Sequence, residues 1–76
     1  MTDKLYEIVS KVFDIPISEI NDESGEENIE VWDSFNVYVL LDEIEAMFNV
    51  TFNLDEIIEL KKVGDFRKIL QKHGVK

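Results

Sequence analysis

Between Ile15 and Asp33 the chain loses the helical periodicity that marks the segments on either side. A connection of this length without repeating structure is uncommon in a small domain, and such connections are often functional. This one is rich in acids, has no base, and carries Gly25. Its apolar residues Ile15, Ile17, Ile20, Ile29 and Val31 are spaced as anchors. The expectation is a packed loop rather than a floppy one, so the fold must arrange helices around a long ordered connection.

The flanking segments read as four helices. Leu5, Ile8, Val9, Val12 and Phe13 recur at helical spacing, which predicts a first helix over Asp3–Asp14 with Thr2 as its N-cap. Pro16 ends it, because the residue before a proline is pushed out of helical geometry. A second helix is predicted over Ser34–Phe48 with Asp33 as N-cap, and a short third over Leu54–Leu60. Asn53 and Glu56 have the spacing of a capping box. A fourth runs over Gly64–Lys72, with Val63, Phe66, Ile69 and Leu70 facing inward and Arg67, Lys68 and Lys72 suiting its negative end. Phe48–Phe52 alternates like a strand, but one strand has nothing to pair with, so it is read as an extended link. The class is all-α, a small four-helix bundle, and 76 residues leave room for a single domain over 1–76.

On a wheel of about 100° per residue, the second helix turns Val37, Leu40, Leu41, Ile44, Met47 and Phe48 to the core. Phe35, Val39, Asp42 and Ala46 fall opposite, with Ser34, Tyr38 and Glu45 at the edge. Phe35, Tyr38 and Val39 are thus large side chains left outside, which makes them a candidate docking surface. Asp42, Glu43 and Glu45 would rim it. The alternative is that the loop folds over Phe35 and buries it.

Charge narrows the function. A net charge of −9 argues against nucleic acid, since phosphate neutralisation needs Lys and Arg. The charge is uneven: residues 1–60 hold 16 acids and two bases, Lys4 and Lys11, a net of −14, whereas residues 61–76 hold one acid and six bases, a net of +5. Such a body attracts basic protein surfaces. No cysteine is present, so disulfides and thiolate chemistry are excluded. The longest apolar run, Val37–Leu41, is too short to span a membrane. Without the pattern of a signal peptide at Met1–Lys4, a cytoplasmic monomer is expected.

Asp33-Ser34-Phe35 stands where the acidic loop meets the second helix. A nucleophilic serine needs a base within reach. The only histidine, His73, reads as a solvated helix-end residue, and neither Lys4 nor Lys11 has reason to be desolvated. Acids are many, but a small helical chain offers little room for a cleft between two of them. Nor is the loop an EF-hand: with Gly25 at position 6, Ile20 and Val31 fall at positions 1 and 12, where oxygen ligands belong. Only weak divalent binding by Asp22, Glu23, Glu26 and Glu27 is left, and no built metal site. A helix N-terminus tolerates an attached phosphoryl group. Ser34 therefore suits modification by another enzyme better than catalysis. By itself Asp-Ser is also an ordinary helix start.

From Asp3 to Leu70 the chain resembles the acyl carrier and peptidyl carrier family, with four helices, a long first loop and a D-S-L-like motif opening the second helix. Asp33-Ser34-Phe35 stands at the motif. Leu40–Phe52 is similar to the family's apolar-acidic second helix and its link, and Val63-Gly64-Asp65-Phe66 fits the start of the last helix. The resemblance implies 4′-phosphopantetheine on Ser34, transferred from coenzyme A by a phosphopantetheinyl transferase, with Asp33 supporting. Its thiol would hold an acyl or aminoacyl group for fatty acid, polyketide or other specialised biosynthesis. The carrier itself would catalyse nothing. Loading and processing enzymes with basic patches would dock on Phe35, Tyr38, Val39, Asp42, Glu43 and Glu45. Ile44, Phe48, Ile57 and Leu60 would line a channel for an acyl chain, or simply pack. Phe35 stands where the family usually has leucine, and the Trp32-Asp33-Ser34 start, with Val31 before it, looks more like stand-alone carriers of specialised pathways. The competing reading is an unmodified acidic adaptor or inhibitor that binds a basic protein face.

Overall fold

The computed structural model describes residues 3–75, so Thr2, expected as the first N-cap, lies outside them. Helix α1 spans Lys4–Phe13 and is capped by Asp3, whose Oδ1 accepts the amide hydrogens of Leu5 at 2.9 Å and Tyr6 at 3.4 Å. It ends at Asp14 in the left-handed region (φ 56°), two residues ahead of Pro16. Helix α2 spans Ser34–Phe48 and closes on Asn49, also left-handed (φ 55°). Asp and Asn adopt that conformation at lower cost than bulkier residues. Helix α3 covers only Leu54–Ile57, and α4 covers Val63–Lys72.

The third helix is shorter than expected because its hydrogen bonds tighten. The amides of Glu59 and Leu60 donate to the carbonyls of Glu56 and Ile57, three residues back, both at 3.2 Å. This turn swings Leu60 into the core. Helix α4 begins where Asp65 Oδ2 accepts the amide hydrogens of Lys61 at 3.0 Å and Lys62 at 3.1 Å.

One apolar core joins α1, the loop, α2 and α4. Leu40, Ile44, Val9, Val63 and Phe66 are fully buried within it. The loop is packed as anticipated, and it includes a 3₁₀ turn at Ile17–Glu19. Its anchors differ in part. Ile20 and Ile29 are buried and Ile15 is half-buried, but Ile17 and Val31 are exposed. Trp32 takes the place of Val31: its ring stacks on Phe13 at 5.4 Å and meets the edge of Phe66 at 6.2 Å. Met47 is also exposed: it lies only about 20° around the α2 wheel from buried Leu40, but two turns further on, next to the last residue of the helix.

Two polar devices hold the loop. Gly25 lies against the segment before α4, where a Cβ would come within 2.6 Å of Lys62 Cα. The close approach lets the Glu26 amide donate to Lys61 O at 2.9 Å and the Val63 amide to Ser24 O at 2.8 Å. Arg67, expected to serve the end of α4, instead ties three elements together. Its guanidinium donates to Asp3 Oδ2 at 2.6 Å and to both oxygens of Asp22, and it lies 5.3 Å over the Tyr6 ring. The Tyr6 hydroxyl donates to Asp22 at 2.7 Å, and this bond raises the phenol above its usual pKa.

Candidate functional site

Ser34 is the first residue of α2 and is exposed. Its neighbours do the local structural work. Asp33 Oδ1 accepts the Asn36 amide hydrogen at 2.9 Å, and Asp33 O accepts that of Val37 at 2.9 Å. The Asn36 side chain returns to the loop, donating to Val31 O at 2.9 Å. Trp32, two residues before the serine, is wedged in the core. The serine is thus presented from a fixed junction, with capping assigned to Asp33 and the hydroxyl left over. The Ser34 and Phe35 amides have no partner inside the helix, and the positive end of its dipole lies there.

A groove of about 490 Å³ runs beside Ser34. Trp32, Val37 and Tyr38 form one side, and Ile57, Ile58 and Leu60 the other. Two of the four channel candidates, Ile57 and Leu60, therefore border the serine. Ile44 is fully buried, and Phe48 lies half-buried in a separate hollow with Leu5, Arg67 and Leu70.

On the outer face Phe35 is 76% exposed, so the loop does not cover it, and Tyr38 and Val39 are exposed beside it. The acids of the expected rim do not act alike. Asp42 is exposed. Glu43 is half-buried, 3.6 Å from Lys11. Glu45 is engaged internally, accepting the Phe52 amide hydrogen at 2.7 Å. Two exposed apolar residues escaped sequence reasoning, Leu54 and Ile58. Their four-residue spacing puts both on one side of α3, a signal that could have flagged them.

His73 is not simply solvated. Its Nε2 lies 3.1 Å from both carboxylate oxygens of Glu56, and its ring stacks on Phe52 with centroids 5.9 Å apart. Among the described residues no three His or acidic side chains are grouped to hold a metal ion. Of the loop acids, Asp22, Glu23 and Glu26 are each paired with a cation, Arg67, Lys62 and Lys61 respectively.

The bundle thus displays an exposed serine at a helix start beside a groove of mixed polar and apolar lining. Residues 3–70 match the family model described as phosphopantetheine attachment site. The chain belongs to that family, and its fold is the four-helix bundle of the acyl carrier protein type. No curated protein matches the chain. The family's site holds covalent 4′-phosphopantetheine. The junction fits such a group: a free hydroxyl, the anion-tolerant end of a 15-residue helix, and a groove alongside.

Proposed function

We propose that Ser34 is the attachment residue, and that the chain works as a non-catalytic acyl or aminoacyl carrier in a specialised biosynthetic pathway. The observation that carries this reading is the exposed Ser34 hydroxyl at the start of α2, within a chain of this family. When bound, the group supplies a terminal thiol for a thioester, which a chain without cysteine cannot provide itself. Asp33 orients the junction by capping α2. The positive end of α2 offsets the phosphate charge. Phe35, Tyr38, Val39 and Asp42, with Ile58 across the groove, form the surface offered to partner enzymes with basic patches. Glu43 and Glu45 contribute less than Asp42, because each already has an internal partner. Ile57 and Leu60 are placed to meet whatever lies beside Ser34. The protein acts as a cytoplasmic monomer.

Intact-mass measurement after incubation with coenzyme A and a promiscuous phosphopantetheinyl transferase tests this. One phosphopantetheine should be added, and none to Ser34→Ala. An unloaded wild-type chain would favour the unmodified acidic adaptor, and loading of Ser34→Ala would move the site elsewhere.

A further inference from the structure

The groove beside Ser34 ends on an aromatic floor. Trp32 lines the groove, yet the residue is only 7% exposed, so it shows the groove an edge and keeps most of its ring in the core. There the indole stacks on Phe13 of α1, 24° from parallel, and meets Phe66 of α4 edge-on, at 71°. Phe66 is fully buried and lies 6.0 Å from Phe52, in the link that follows α2. Four rings thus run without a break from α1 across the bundle to the link. Aromatic pairs in such arrangements gain more than the area they bury.

The indole is also fixed through its backbone. The Trp32 amide donates to Ile29 O at 3.1 Å, and the Asp33 amide donates to Val31 O at 2.9 Å. Ile29 is itself buried, and Asp33 caps α2. Swinging the ring outward would therefore disturb the start of α2 as well as the core.

The four residues expected to line a channel do not share one space. Ile57 and Leu60 border the groove, Ile44 is fully buried, and Phe48 borders a separate hollow with Leu5 and Leu70. A close-packed interior accepts added methylenes only by forcing side chains off their preferred rotamers. A chain leaving the groove for the core would also have to part an indole held by rings on two sides.

We propose that Trp32 closes the groove towards the core and so determines the size of the cargo. That cargo is a small acyl or aminoacyl group held outside the core, not a long fatty acyl chain drawn between the helices. The inference rests on Ser34 as the attachment residue.

Acetyl-, butyryl-, octanoyl- and decanoyl-coenzyme A, each offered with a promiscuous phosphopantetheinyl transferase, supply a length series that tests this. Intact mass first establishes one acylated arm per chain, absent from Ser34→Ala. Cleavage of the thioester by hydroxylamine is then timed. Each CH2 admitted to an apolar interior raises its occupancy roughly fourfold, so a sequestered chain is cleaved more slowly as it lengthens. In the wild type the rate should stay level from butyryl to decanoyl. An isotope-labelled decanoyl chain should show no NMR contacts to Ile44 or Phe66. Trp32→Leu puts a smaller apolar side chain in place of the indole. There the rate should fall by roughly fourfold or more between butyryl and octanoyl, the factor for even one CH2 admitted, and the contacts should appear. The wild-type series decides the matter even where the variant does not fold. A wild-type rate that falls with length, decanoyl contacts to Ile44 or Phe66 in the wild type, or a level series in folded Trp32→Leu would overturn the proposal. A chain that takes no acyl group, or takes it without Ser34, would instead overturn the attachment reading, and this inference with it.

Discussion

Helices α2 and α3 border the same groove beside Ser34, and opposite kinds of force hold them there. Helix α2 has 15 residues, and its Val37, Leu40, Leu41 and Ile44 are buried in the core. Helix α3 has four residues, packs only Ile57 partly against the core, and relies besides on a capping box and a carboxylate that meets α4. Apolar burial is non-directional and spread over many contacts, so it survives small displacements. Polar tethers are few, directional and titratable. The serine is therefore carried by the fixed wall of the groove, while the other wall can respond to conditions.

The contrast can be broken first at its strong side. Leu40 is fully buried, and Leu40→Ala should cost about 2–5 kcal/mol by chemical denaturation, a large part of the stability of so small a domain. The whole molecule should unfold at lower denaturant, not α2 alone. A loss confined to α2 amides would mean that the core is not one unit.

At the weak side the effect should be smaller and local. Asn53→Ala removes the acceptor for the Glu56 amide and should cost about 0.5–2 kcal/mol. Faster exchange at Ile57 and Ile58 with little change in the denaturation midpoint is the expected result. An equal change at Leu40 and Ile44 would erase the distinction between the walls.

Acid should undo the same wall gradually. The Glu56 carboxyl is lowered from 4.5 to about 2, first by the Asn53 backbone amide and then by His73, against the opposing effect of burial. A lowered carboxyl stabilises the fold above its unfolded value. That contribution is lost as pH falls from about 4.5 towards 2. Amide shifts of Asn53, Glu56 and Ile57 should move over that window, and in Glu56→Gln they should not.

The smallest effect sharpens the comparison from outside. Phe35 is 76% exposed, so Phe35→Ala should alter stability by no more than about 0.5 kcal/mol. Its thermal melt should overlay that of the wild type. A marked loss would show that Phe35 packs against the fold instead of waiting for a partner.

Much of this was legible in the chain itself. The bounds of α2 and its Asp33 cap follow from local signals: a capping residue, then apolar residues at helical spacing. The Asn53–Glu56 capping box is equally local. Where sequence and structure part, the cause is shared. Spacing assigns Arg67 to its own helix end, yet it binds Asp3, 64 residues away in sequence. Position near a helix end predicts a solvated His73, but it meets Glu56, 17 residues away. Glu45 looked like part of an outer rim until the chain turned back and placed the Phe52 amide against it. Spacing places Met47 and Val31 inside, but they are exposed, because spacing alone cannot say where a core ends.

The order of helices, the long packed connection and a serine at the head of α2 were set by residue spacing and capping, which act within a few positions along the chain. Which acids stay free, which histidine holds a carboxylate, and which side chains border the serine depended on distant segments meeting. Those pairings exist only once the apolar core has brought the segments together, so the tertiary structure alone decided them.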